Sequence, residues 1–182
     1  MPSNWITTNR VMPVSVGPYQ MQGMGLQPPY LGNTNSTGSA IGASNIYLYP
    51  VLVTEPYRVQ RLWWINGPSV QGNTEVAVFS DGGARIATTG AVAQSGVNQI
   101  QQVTVDFTLG VGSYWIGLAT TGATASYQGR LDVVGKAHTM RDLSMYAMHV
   151  TVGAAVPMPS QITIGSNLGY IHPAYGMALR GL

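Results

Sequence analysis

The residues between Gln99 and Leu109 alternate. Gln101, Val103, Val105, Phe107 and Leu109 share one parity, and Gln102, Thr104 and Asp106 share the other. A period of two sends successive side chains to opposite faces of an extended chain, so this stretch predicts a strand with one face buried. The same grammar recurs on both sides of it. Tyr57–Ile65 (YRVQRLWWI) and Asn73–Ser80 (NTEVAVFS) predict strands, the second closed by the turn Asp81-Gly82-Gly83, with Arg85–Thr88 as a short continuation. Val111–Ala119 follows across Gly110 and is expected to form a β-hairpin with the alternating strand. Asn45–Val53 (NIYLYPVLV) predicts a further strand, which Pro50 pushes towards an edge or a bulge. Short strands at roughly ten-residue spacing, parted by Gly and Asp turns, specify an all-β sandwich or barrel rather than a parallel α/β sheet. One helix is expected late in the chain, where Met140, Leu143, Tyr146 (or Ala147) and Val150 are three to four residues apart.

Charge is scarce and uneven. Only 8% of the 182 residues are charged, against about 25% in ordinary soluble domains. Arg10 is the one charge before Glu55, and Arg180 is the one after Asp142. A monomer normally keeps many surface charges for solubility, so much of this surface is expected to face other protein. Without a Lys/Arg cluster, phosphate-driven binding to nucleic acid is not expected. No apolar run approaches the roughly 18 residues of a membrane span, and no signal-peptide pattern opens the chain, so no membrane partner is expected. Cysteine is absent, which removes disulfides and thiolate chemistry.

The uncharged flank from residue 1 to 44 is expected to be an extended arm, and residues 45–182 a sandwich domain with an irregular C-terminal segment. The arm carries Pro2, Pro13, Pro18, Pro28 and Pro29 and shows neither helical nor strand period. Disordered tails are usually charged and poor in large apolar groups. This one holds Trp5, Tyr19, Met21, Met24 and Tyr30, adaptable anchors suited to irregular grooves. These five are candidate interface residues.

A search for catalytic chemistry finds little. No G-x-S-x-G nucleophile elbow is present. Gly129 to Lys136 resembles a phosphate loop but has one residue too many between its glycines, and Ala137 stands where a metal-binding hydroxyl belongs. His138 and Asp142 are four apart, too few for a zinc site. Among the acids, Asp81 falls in a turn, and Glu75 and Asp106 are expected on solvent faces, a poor setting for a glycosidase pair. The expectation is a protein that is not an enzyme and uses no cofactor or metal.

Two aromatic pairs remain. Trp63-Trp64 and Tyr114-Trp115 are neighbours on strands, so each pair puts one ring on each face. One ring belongs to the core. The other, Trp63 or Trp115, faces a subunit interface, a covering arm or a bound sugar. The core is expected to draw on Leu62, Trp64, Val76 and Val78, then on Val103, Val105 and Phe107, then on Tyr114, Ile116 and Leu118.

The order of these motifs carries a resemblance. A Tyr-rich strand (Tyr47–Val53), a strand ending at Leu62–Ile65, the V-x-V-F-x-D-G-G turn at Val76–Gly83, the polar ladder Gln99–Phe107 and L-x-x-G-x-Y-W-I at Leu109–Ile116 follow one another. Over roughly residues 45–120 this resembles a jelly-roll module common in structural proteins of tailed bacteriophages. The flanks do not match it. The resemblance implies a jelly-roll β-sandwich and a virion protein on the capsid surface. It would be a cement (decoration) protein that stabilises the phage head as a homotrimer, with the major capsid protein as partner. The alternative it implies is a tail-fibre or spike module that binds a host-surface glycan.

Overall fold

We describe a computed structural model of the chain over residues 39–53, 55–131, 148–152, 154–164, 171–173 and 175–181. Among these residues every regular element is a strand. In chain order they are β1 (Ser39–Ala40), β2 (Asn45–Val53), β3 (Tyr57–Ile65), β4 (Asn73–Ser80), β5 (Arg85–Thr88), β6 (Val92–Ala93) and β7 (Ile100–Leu109). They continue with β8 (Gly112–Thr120), β9 (Ser126–Tyr127), β10 (Gly129–Leu131), β11 (Met148–Thr151), β12 (Ile171–Pro173) and β13 (Tyr175–Gly181). All pairings are antiparallel.

Two sheets dominate. The larger has six strands in the order β11-β2-β8-β4-β5, with β6 also on β4, and the smaller has the order β13-β3-β7. Inward residues of both sheets share one cluster. Leu62 and Trp64 of β3, Val76 and Val78 of β4, Ile116 and Leu118 of β8 and Met177 of β13 are all buried in it. Two sheets sealing one apolar layer make a β-sandwich. Full burial of each such side chain contributes about 1.5–3 kcal/mol before the cost of ordering it. Val103, Val105, Phe107 and Tyr114, expected in the same core, pack against it but stay only partly buried. Packing begins upstream of β2, since β1 pairs with β9 and Ile41 is fully buried.

The expected hairpin across Gly110 does not form. β7 pairs with β3 in the smaller sheet, while β8 lies between β2 and β4 in the larger. The apolar faces of β7 and β8 therefore look at each other across the core, and the turn arches from one sheet to the other. Tyr114 Oη closes the arch by donating to the Gly110 carbonyl at 3.1 Å. The late helix is also corrected at its end, because Met148–Thr151 is strand β11, paired with β2; residues 140–147 lie outside the described residues. Pro50 sits beyond Leu48, the last residue of β2 that β11 covers, so its missing N–H breaks no β11 ladder.

The outer face of the larger sheet is covered as well. Ala77 and Phe79 of β4 join Ile46, Leu48 and Ala119 in a second cluster, capped by Ala155, Met158 and Ile162. The segment 154–164 has no regular structure of its own, yet it lies across this face. Its anchors are the Ala84–Gln161 bridge, Arg85 N–H on the Ser160 carbonyl at 2.8 Å and Ile162 N–H on the Gly83 carbonyl at 2.9 Å. Gly83 is obligatory for that approach: its φ is +83°, and a Cβ there would stand 2.0 Å from the Ile162 oxygen.

One end of the sandwich is closed by a buried polar node. Asn66, fully buried, accepts from Trp64 Nε1 at 2.8 Å and donates to the Gly96 carbonyl and to Gln101 Oε1, both at 3.1 Å. Nearby, Gln94 accepts from the Gln71 N–H and donates to the Ser126 carbonyl. Buried amides are tolerated because their donors and acceptors are occupied.

Candidate interaction surface

The least finished part of the described molecule is the free edge of β7. It is the last strand of its sheet, and among the described residues no strand pairs with its far side. Its exposure alternates along the whole strand, with even-numbered residues exposed and Gln101, Val103, Val105 and Phe107 only half-buried. The inner face is half-buried where, among the described residues, no strand extends the sheet beyond β7. Ile100 at the strand start and Val97 in the preceding turn are 63% and 49% exposed.

The outer face of the same sheet is polar. Arg58 of β3 grips Asp106 of β7 with a two-pronged bond, Nε to Oδ1 at 2.6 Å and a terminal nitrogen to Oδ2 at 2.5 Å. That hydrogen bonding, with the guanidinium charge, holds the Asp106 carboxyl below the usual carboxylate range and pushes Arg58 up. Arg61 donates to Gln102 at 3.0 Å beside it. Both partners of the ion pair are exposed, so the pair neutralises the face more than it stabilises the fold.

The candidate interface tryptophans lie on opposite sides of the molecule. Trp63 is on the outer face of β3, between Gln102 and Gly176, and keeps 9% exposure. Trp115 is on the outer face of β8, beside Phe79 and Pro50, and is half-buried against the second cluster. The two rings form no common platform. Trp5, Tyr19, Met21, Met24 and Tyr30 lie outside the described residues.

Glu75 is not on a solvent face. It keeps 1% exposure beneath the 154–164 segment. Oε1 accepts from Thr88 Oγ1 at 2.5 Å and lies 3.7 Å from the Arg85 guanidinium, while Oε2 accepts the Met158 N–H at 2.8 Å. Arg85 in turn donates to the Met158 carbonyl. One ion pair thus holds both backbone groups of Met158, and the carboxylate acts as a tether with its oxygens already engaged. The residue pattern contained a signal for this: Ala77 and Phe79 share the parity of Glu75, and such a face belongs to a covered strand.

Asp81 is exposed in its turn and Glu55 accepts from Tyr57 Oη at 2.7 Å. Among the described residues no group of three or more His, Cys, Asp or Glu is placed to hold a metal. No helix among them is long and apolar enough to cross a membrane. What the described surface offers is a set of backbone groups along one open strand, a neutralised polar face and scattered exposed apolar side chains.

No protein-family model, no curated protein and no solved structure matches this chain.

Proposed function

We propose that this protein is a non-enzymatic building block of a virus particle, a jelly-roll cement protein that reinforces a tailed-phage head as a homotrimer. The observation that carries the proposal is the strand order. β8 lies between β2 and β4, and β7, which precedes it, pairs with β3 in the facing sheet. Inserting a late strand between two early ones is the connectivity of interlocked Greek keys, which supports a jelly roll over a simple meander. The charge-poor composition supports an assembled setting, because 8% charged residues leave little to keep a free surface solvated. The mechanism is interfacial: a rigid sandwich sits on the major capsid protein, and the uncharged N-terminal arm with its Trp, Tyr and Met anchors lies along neighbouring subunits.

Co-expression with the major capsid protein of the same genome tests the proposal. Cryo-electron microscopy of the resulting shells should show threefold clusters of sandwich-sized density on their outer surface. Shells that form bare in the presence of folded protein would overturn the cement role. Specific retention on a host-glycan array, lost on substitution of Trp63 or Trp115, would transfer the proposal to the fibre or spike alternative.

A further inference from the structure

We propose that Asn66-Gly67 is a masked deamidation site: the native sandwich holds the pair inert, and a chain that opens at this end converts Asn66 to aspartate or isoaspartate and cannot close again. This inference does not rest on the assembly role proposed above.

The pair is the one Asn-Gly step in the 182 residues. In an open chain such a step is reactive. The Gly67 nitrogen gives its proton to a base and attacks the side-chain carbonyl carbon of Asn66. A new C–N bond closes a five-membered imide while the carboxamide C–N bond breaks, and the leaving nitrogen takes up a proton and departs as ammonia. Water then opens the imide at either carbonyl, giving aspartate or isoaspartate. Glycine favours the closure because it has no Cβ to obstruct it and the widest backbone freedom.

The fold dictates both residues. Asn66 Oδ1 accepts from Trp64 Nε1, and Nδ2 donates to the Ser95 and Gly96 carbonyls and to Gln101 Oε1. An indole N–H only donates and a backbone carbonyl only accepts, so this position needs both ends of a carboxamide. Gly67 has no room for a side chain. A Cβ there would stand 2.5 Å from Ser126 Oγ and 3.0 Å from the Ser126 carbonyl carbon. Ser126 is not free to yield, since its Oγ accepts the Ser69 N–H at 2.8 Å and donates to the Ser69 carbonyl at 3.0 Å. A bulkier neighbour that would slow the closure is therefore excluded.

The same contacts silence the pair in the folded chain. Closure needs a free Gly67 nitrogen and a carboxamide able to swing towards it. The Gly67 N–H is donated to the Ser126 carbonyl at 2.8 Å, the Gly67 carbonyl accepts the Asn98 N–H at 3.0 Å, and the Asn66 N–H is held by the Gln99 carbonyl at 2.9 Å. The carboxamide is fixed at both ends, and both residues are buried. Reaction then proceeds through the opened chain and follows its population.

The products do not fit the node. A carboxylate brings no donor to the three oxygens that Nδ2 now serves, and a protonated acid brings one hydrogen for three acceptors. Isoaspartate also lengthens the backbone before Gly67, which moves its N–H off the Ser126 carbonyl. Chemical change in the opened state makes opening irreversible.

The full chain, incubated in mildly alkaline buffer with and without urea, tests this. Tryptic digestion and fragmentation mass spectrometry assign the conversion to Asn66. Conversion in the native sample should be at least about tenfold slower than in urea. After dilution of the partly converted urea sample, the refolded fraction should be enriched in intact Asn66. Asn66→Asp, made directly, should unfold at lower urea than wild type at neutral pH. A native rate within about tenfold of the urea rate overturns the masking. Converted chains in undiminished proportion in the refolded fraction, or Asn66→Asp as stable as wild type, overturn the one-way step.

Discussion

Replacing Glu75 by alanine should detach the segment that covers the larger sheet. The substitution removes the acceptor of the Met158 N–H at 2.8 Å and of Thr88 Oγ1 at 2.5 Å, and it takes away the charge 3.7 Å from Arg85. A buried donor left without a partner costs about 1–3 kcal/mol. Met158 is 2% exposed, so its N–H has no ready access to water. Arg85 is less affected, since its side chain is 27% exposed and keeps the Met158 carbonyl. Together these losses amount to about 3–5 kcal/mol, the range found when one partner of a buried pair is deleted. Glu75→Gln keeps the shape and one acceptor for Met158, so it should cost less, about 1–2 kcal/mol. Urea unfolding of wild type and both variants measures these values, and hydrogen exchange across 154–164 locates the change. A loss below about 1 kcal/mol for Glu75→Ala would refute the tether. So would a full loss with unchanged exchange in that segment.

Other consequences follow from the same geometry. Gly83→Ala should destabilise by at least about 2 kcal/mol, because φ is +83° and the added Cβ meets the Ile162 oxygen at 2.0 Å. Gly82→Ala next to it is the control: its Cβ would meet nothing closer than Ser80 Oγ at 3.9 Å, and thermal unfolding should barely change. Asn66→Ala should cost about 2–4 kcal/mol in chemical denaturation, since it strands the indole N–H of fully buried Trp64. Asp106 should titrate below the usual carboxylate range when its carboxyl is followed by NMR, and Arg58→Ala should return it upward. Because the folded value is the depressed one, the stability this pair adds is present above the unfolded carboxylate pKa and lost as pH falls through the folded value. Wild type and Arg58→Ala should therefore converge in stability in acid.

Much of the strand content was legible because strand pattern is local. Asn45–Val53, Tyr57–Ile65, Asn73–Ser80 and Arg85–Thr88 are β2, β3, β4 and β5 with the expected bounds. Connections between strands were less legible. Gly110 permits a hairpin or an arch equally, and only the facing of Val103–Phe107 towards Tyr114–Leu118 across the core selects the arch. Parity could say that one face of β7 is apolar; it could not say that, among the described residues, the strand is the last of its sheet, with Val103, Val105 and Phe107 half-buried. The burial of Glu75 depends on 154–164, a stretch without period whose partners lie some eighty positions upstream. The candidate tryptophans were read correctly as rings facing away from the core cluster, but nothing local indicated that they sit on opposite sides of the sandwich.

The proposed function requires this chain to assemble. Light scattering coupled to size exclusion, on the full chain at micromolar concentration, tests it most directly. The predicted result is a mass that is a multiple of three times the 19.3 kDa chain. A stable particle of one chain mass, unchanged on concentration, would contradict it.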